Sequence, residues 1–283
     1  MNSLIPTNPT ARANILGIGV HAVSMQTAVD AITNSVLAHH KGYVCVASVH
    51  GVMEAQRDAE LAQIYRNAFL VVPDGMPTVW MGRLQGLSIE RVFGPDLMMA
   101  VLREPRLFGS KHFLYGGEDG VAECLQRVLS RKYPQAQFVG AYCPPFRPLS
   151  SNERDLLLDK ISAVQPDIIW VGLSTPKQER FMADYLPLLR TTLMVGVGAA
   201  FDYHTGRIKD SPQWLKQMGL QWMHRLIQEP ARLWRRYLWN NPQFIYNACL
   251  HVLGIKEFSL DCVADAALSG QTSKANRIQS HIA

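Results

Sequence analysis

No run in this chain of 283 residues approaches the roughly 18 consecutive apolar residues that a membrane-spanning helix needs. Residues 1–13 (MNSLIPTNPTARA) also lack the long apolar stretch of a secretory signal. A cytoplasmic chain that does not cross a bilayer is therefore expected. The five cysteines, Cys45, Cys124, Cys143, Cys249 and Cys262, are odd in number and never spaced as CxxC. That spacing argues against a disulfide framework and a structural zinc site, and for buried or inert thiols. There is no GxxxxGKS/T loop, no HExxH, no DxD and no GxSxG. A P-loop NTPase, a dedicated metal site and a serine acyl hydrolase thus have no motif behind them, and no cofactor is expected.

What is present is an ordinary globular composition, 48% hydrophobic and 18% charged, with a net charge of +5 and a pI near 9.0 that mildly favours an anionic partner. From Ile15 to about Val197 short apolar runs alternate with helical spacing. Strands are expected at Ile15–Val20, Tyr43–Ala47, Phe69–Val72, His112–Tyr115, Gln137–Ala141, Ile168–Gly172 and Leu193–Val197. Helices are expected at Gln26–Ala38, Val121–Lys132, Asn152–Val164 and Lys177–Leu189. The alternation predicts an α/β, mostly parallel sheet with helices on both faces. The first run, with its Gly17–His21 turn region, is also compatible with a hairpin at the sheet edge. After Phe201 strand signals vanish, and Arg, Trp and Leu become dense. The expected divisions are a flexible N-terminus at 1–13, a catalytic core at 14–208, a helical appendage at 209–258 and a disordered tail at 259–283.

Ligands in open parallel sheets bind beyond the carboxyl ends of the strands. Four segments fall there. Pro73-Asp74-Gly75-Met76-Pro77 is either turn chemistry or the seat of a general base at Asp74. In Glu90-Arg91-Val92-Phe93-Gly94-Pro95-Asp96, Arg91 is a surface ion-pair partner or a fork for a diphosphate. Tyr115-Gly116-Gly117 is a tight turn or a place where the backbone approaches a phosphate. Val171-Gly172-Leu173-Ser174-Thr175-Pro176 leads into Lys177 and Gln178, which open a helix as a solvated first turn or as a cation and an amide aimed at the crevice.

The appendage carries Glu229-Pro230-Ala231-Arg232-Leu233-Trp234-Arg235-Arg236-Tyr237-Leu238-Trp239. Pro230 divides it into expected helices at Gln213–Gln228 and Pro230–Trp239. Helical spacing groups Arg232, Arg235 and Arg236 on one side, and Leu233, Trp234, Tyr237 and Leu238 on the other. Such a helix either docks its apolar face on a core or meets an anionic lipid surface; nucleic acid has no groove-reading motif here.

The stretches PDGMP, ERVFGPDL, FLYGG, VGLSTPKQE, GVGAAFD and GLQWMHRLIQEPARLWRRYL, in this order, resemble the WecG/TagA/CpsF glycosyltransferases (glycosyltransferase family 26) from about Ile15 to Phe244. The resemblance implies a Rossmann-like core of the GT-E type with a C-terminal appendage. It implies inverting, metal-independent transfer from a UDP-sugar to an undecaprenyl-diphosphate-linked saccharide, at the inner face of the cell membrane. Carried over by position, Asp74 looks like the base, Arg91 a site arginine and Gln178 a donor-side contact. Arg225, Arg232 and Arg235 look like appendage residues for the diphosphate or the bilayer. The family's usual Thr-x-Asn reads Ser48-Val49-His50 here, and its GLEW reads Gly219-Leu220-Gln221-Trp222. Ser48 keeps the hydroxyl, whereas His50 brings a ring that is able to assist or replace the base.

Two rivals are weighed against this. An NAD-dependent nucleotide-sugar dehydrogenase or epimerase needs a glycine fingerprint that Gly17 and Gly19 do not supply. A non-catalytic membrane-surface adaptor explains the appendage but leaves Asp74 without a purpose. A homo-oligomer, and the identity of both sugars, stay open at this stage.

Overall fold

The computed structural model describes residues 11–260. In chain order its strands are β1 (Arg12–Ile15), β2 (Ile18–His21), β3 (Gly42–Ala47), β4 (Leu70–Pro73), β5 (Lys111–Gly116), β6 (Gln137–Tyr142), β7 (Ile168–Gly172) and β8 (Leu193–Gly196). Its helices within the core are α1 (Met25–Leu37), α2 (Val49–Arg57), α3 (Ala59–Asn67), α4 (Met76–Leu84), α5 (Gly94–Leu102), α6 (Val121–Lys132), α7 (Ser151–Val164), α8 (Lys177–Tyr185) and α9 (Ala200–His204). The appendage adds α10 (Gln213–Gln217), α11 (Gln221–Gln228) and α12 (Pro230–Val252).

Strands β3 to β8 form one parallel sheet in the order β4-β3-β8-β7-β5-β6. The chain fills one end with β3 and β4, the other with β5 and β6, and closes the middle with β7 and β8. Every residue of β3, β4 and β8 is buried, as expected of parallel strands covered on both faces. Side chains alternate between two cores. Val44, Val46, Leu70, Val72, Leu114, Trp170 and Val195 face α1, α5, α6 and α9. Tyr43, Cys45, Val71, Phe113, Ile169 and Met194 face α2, α3, α7 and α8. The α/β architecture with helices on both faces and a C-terminal helical appendage is therefore present.

The first apolar run is not one strand. It folds into the antiparallel hairpin β1–β2, and this hairpin is a separate two-stranded sheet rather than an edge of the main one. Asn14 Oδ1 accepts the Gly17 N–H at 2.8 Å and closes the turn. β1 begins at Arg12, inside the stretch expected to be flexible, because Ala13 is buried against the second core and Arg12 Nε donates to His21 Nε2 at 3.0 Å. Residues 261–283, most of the expected tail, lie outside the described residues, as do residues 1–10. At the described end, Asn14 Nδ2 and Arg66 Nη2 donate to the carbonyls of Phe258 and Leu260 at 2.6 and 3.0 Å. The chain's last described turn is thus fastened to the β1–α3 side of the core.

The appendage also departs from expectation. Gly219, at φ +70°, ends α10 where a Cβ would meet the Trp80 ring at 2.9 Å, so the expected single helix at 213–228 becomes two. In the other direction α12 runs past Trp239 to Val252 with Pro242 inside it. Buried Phe244 packs in the second core, which holds the helix beyond the point where its local sequence signal fades. Among the described residues no helix is long and apolar enough to cross a membrane.

Candidate active site

The carboxyl ends of β4, β3, β8, β7 and β5 open into a cavity of about 1630 Å³ that the appendage closes from above. Asp74, Ser48, His50, Arg91, Gly117, Lys177, Gln178, Arg225 and Arg232 all line it. Of the residues expected at the site, Gly116 and Arg235 do not.

Asp74 directly follows β4. Its N–H donates to Ala47 O at 3.2 Å, its carbonyl accepts Arg91 Nε at 2.8 Å, and its Oδ1 accepts the Gly94 N–H at 3.1 Å. Three elements therefore fix the backbone and one carboxyl oxygen, while Oδ2 carries no hydrogen bond among the described residues. Burial pushes the carboxyl above its ordinary pKa, against the pull of Arg91, the Gly94 N–H, Arg225 and Arg236. A carboxylate so placed is a stronger base than one in water.

His50 has the opposite character. Burial and the nearby Arg236 pull it down to about 3, so the ring is neutral at any working pH. Arg57 Nη2 donates to Asn240 Oδ1 at 2.9 Å, which fixes that amide and turns Asn240 Nδ2 toward His50 Nδ1 at 2.7 Å. A hydrogen bond with the Thr175 backbone partly opposes the fall of the ring's pKa. With its lone pair occupied and its basicity lowered, His50 is a positioning residue tying α2, the Thr175 loop and α12 together. The idea that it replaces the base is not supported by this geometry.

Two further expected contacts are turned inward. Gln178 is fully buried in the first turn of α8; its Oε1 accepts Gly198 N–H at 2.8 Å and its Nε2 donates to Glu179 Oε1 at 3.2 Å. It fastens the β8–α9 turn to α8 rather than offering a free amide. Gly116 sits at φ +136° opposite Gly172, where a Cβ would lie 2.4 Å from the Gly172 carbonyl oxygen. Its role is close strand approach, and only Gly117 reaches the cavity. Ser48 is the N-cap of α2, accepting the Gly51 N–H at 3.3 Å. Lys177 is exposed, with Nζ 5.0 Å from the Phe146 ring centroid.

Across the cavity stand the appendage guanidiniums. Arg225 and Arg232 share Glu229, at 3.0 and 2.5 Å. Arg91 reaches up from the core to Gln221 at the start of α11. Arg236, grouped with the basic residues from sequence but not chosen for the site, is the largest surprise. It lines the cavity, burial pulls its pKa down, and it makes no hydrogen bond or ion pair among the described residues. Arg232, Arg236 and Asn240 recur at i, i+4 and i+8, so they share the inward stripe of α12. Arg235 falls off that stripe and lies exposed, its guanidinium 5.2 Å from the Trp234 ring. Their adjacency in sequence hides this separation, and only the inward direction of α12 reveals which arginine faces Asp74. Asn240, Gln221 and Phe146 were likewise missed, since none carries a motif of its own.

The arrangement sets two raised-pKa carboxyls, Asp74 and Asp202, beside a cluster of cations, in a cavity long enough for an extended anionic substrate. Gly17 and Gly19 belong to the β1–β2 hairpin rather than to a strand–helix turn, so they form no dinucleotide fingerprint. Among the described residues no group of His, Cys, Asp or Glu is clustered to hold a metal ion.

Residues 13–257 match the family described as Glycosyl transferase WecG/TagA/CpsF. The chain is 29% identical over 185 residues, 65% of its length and 70% of the relative's, to the N-acetylglucosaminyldiphosphoundecaprenol N-acetyl-beta-D-mannosaminyltransferase of Bacillus subtilis. It is 30% identical over 226 residues, 79% of its length and 85% of the relative's, to the protein of the same name from Bacillus spizizenii. The carboxyl at the sheet's rim, the guanidiniums above it and this match over most of the chain agree: the protein belongs to the WecG/TagA/CpsF family and is a glycosyltransferase.

Proposed function

We propose that this chain moves a hexose or N-acetylhexosamine-type sugar from a UDP-sugar to a saccharide carried on undecaprenyl diphosphate, with inversion and without a metal ion. The single observation that carries the reading is Asp74 on the cavity floor facing Arg225, Arg232 and Arg236 on its roof. Asp74 Oδ2 takes the proton of an acceptor hydroxyl as that oxygen attacks the anomeric carbon. The bond to the donor diphosphate breaks in the same step, so one displacement inverts the centre and no sugar becomes attached to the enzyme. The guanidiniums neutralise the departing diphosphate, and Arg236 is the readiest of them because it makes no hydrogen bond or ion pair among the described residues. The two Bacillus relatives, whose names specify a diphosphoundecaprenol acceptor, support the acceptor class.

The outer face of α12 supports work at a membrane surface. Trp234, Leu238 and Trp239 are exposed there beside Arg235, while Arg232 and Arg236 line the cavity. Of the apolar side read from the sequence, Trp234 and Leu238 are exposed, whereas Leu233 is buried and Tyr237 lines the cavity beside Trp222. Aromatic and aliphatic groups with an arginine are the mixture that an anionic lipid interface takes up. A panel of UDP-sugars offered with short-chain polyprenyl-diphosphate saccharides, products read by mass spectrometry, tests the proposal. Transfer from one UDP-sugar with inverted linkage is the expected result; no transfer from any of them contradicts it.

A further inference from the structure

The cavity has an arm that follows α12 away from Asp74. α12 lines it with one residue per turn: Arg232, Arg236, Asn240, Phe244, Ala248 and Val252 recur every four positions. Along that stripe the wall passes from two guanidiniums through an amide to three apolar groups. α4, which starts two residues after Asp74, lines the same cavity with Met76, Trp80 and Leu84 at the same spacing. Every lining residue of α4, and every one from Phe244 to Leu253, is apolar.

Contacts at both ends hold the two walls in place. Near Asp74, Gly219 of the α10–α11 turn lies against α4, where a Cβ would meet Trp80 at 2.9 Å and Met76 at 3.2 Å. At the far end the Asn14 N–H donates to Gln85 Oε1 at 2.8 Å and Asn14 Nδ2 to the Phe258 carbonyl at 2.6 Å. Asn14 thereby ties the end of α4 to the segment that follows α12. Phe244 at the inner end of the groove is buried, whereas Leu84 and Val252 at its mouth are 71% and 57% exposed.

An exposed apolar groove that opens into a charged cavity suits an amphiphile. A docked protein segment has no reason to continue into the charged part, whereas a lipid-linked saccharide must, because its hydroxyl meets Asp74. From Arg236 to Phe244 α12 rises about 12 Å, enough for a sugar ring and a diphosphate, and from Phe244 to Val252 about 12 Å more, enough for about two or three isoprene units. We infer that the groove between α4 and the second half of α12 holds the first isoprene units of the acceptor's polyprenyl chain, which leaves the protein between Leu84 and Val252. The inference rests on the lipid-linked acceptor read above and adds recognition of the lipid by the protein itself, apart from any contact with the bilayer.

The test is calorimetric titration of the full chain, in detergent-free buffer, with N-acetylglucosaminyl diphosphate esterified to isopentenol, geraniol or farnesol, a series of increasing isoprene number. The head group is the one in the names of the Bacillus relatives. Affinity is expected to rise by about tenfold or more from the isopentenyl to the farnesyl ester, since each added unit places apolar carbons on apolar walls. Leu84→Gln and Val252→Gln, both at exposed positions, should each cut that gain by about threefold or more, with circular dichroism and melting unchanged. The wild-type series decides the matter even if a variant fails to fold. Equal affinity for the three esters in wild type overturns the inference. So does a gain that survives both substitutions together, for the chain then lies elsewhere. A wild-type protein that binds none of the three overturns the lipid-linked acceptor reading itself, and the two failures are thereby told apart.

Discussion

Asn240 of α12 donates its side-chain amide to His50 Nδ1 at 2.7 Å, joining residues 190 positions apart in the sequence. Arg57 fixes the amide from the other side at 2.9 Å. The contact locks the appendage to the first turn of α2 on the cavity wall, so the roof of the cavity is positioned by the same residues that shape its floor.

The first prediction concerns His50 itself. A ring held neutral down to about pH 3 contributes geometry rather than proton transfer. His50→Asn, which keeps a hydrogen-bonding side chain, should leave the shape of the kcat–pH profile between about pH 6 and 8 unchanged. His50→Ala should loosen the appendage by about 1 kcal/mol, the scale of a lost hydrogen bond, and raise its sensitivity to limited proteolysis. A profile that loses its alkaline or acidic limb in His50→Asn makes His50 a proton carrier after all.

Acid stability follows from the same groups. Burial pulls His21 and His112 down to about 4 and His50 to about 3. Unfolded, each takes a proton near pH 6.5. Between that pH and the folded values the unfolded chain binds more protons, so stability from these groups is full above 6.5 and is lost as pH falls toward 4 and 3. The raised pKa values of Asp74 and Glu179 act with the opposite sign, favouring the fold at low pH. A single substitution separates the two: His50→Asn should flatten the fall of Tm with acidification below 6.5. An unchanged slope contradicts the assignment.

Arg235 and Arg236 are neighbours with different duties. Arg236→Ala should lower transfer by about a hundredfold or more, in line with losing one preorganised donor to a developing anion. It should also raise the melting temperature, because it removes a buried cation that makes no hydrogen bond or ion pair among the described residues. Arg235→Ala should spare transfer from soluble short-chain acceptors and weaken binding to anionic vesicles. Matching activity losses in the two variants contradict the inward direction of Arg236.

How much of this could be read from sequence depended on whether the signal was local. α6 falls at Val121–Lys132 as its spacing predicts, and Ser150 with Glu153 announces the start of α7. The nine-residue helices α2 and α3, which start from the N-caps Ser48 and Asp58, were not anticipated, since each presents barely two turns of periodicity. Asp74 was found because it ends an apolar run. The inward turn of Gln178 was not legible, since its partners Gly198 and Glu179 are set by how α8 packs against the end of β8. Arg236 was hidden for a related reason. The direction of α12 is decided by Phe244 finding the core, a tertiary event that no window of the sequence contains.

The membrane-facing role of α12 has its own test. Trp234→Ser with Leu238→Ser alters two exposed side chains, so folding should be unaffected. Binding to vesicles containing anionic lipid should fall by about 2 kcal/mol or more, the scale of two large apolar groups removed from the interface. Sedimentation with vesicles equal to wild type contradicts the outward face as the docking side.

The most direct measurement is transfer by Asp74→Asn. The substitution keeps the side chain's shape and the oxygen that accepts the Gly94 N–H, while removing the site that takes the proton. Single-turnover transfer from the UDP-sugar should fall by about a hundredfold to ten-thousandfold, the range for a lost general base, with melting temperature and UDP affinity retained. Near-normal turnover in a folded Asp74→Asn protein contradicts the account.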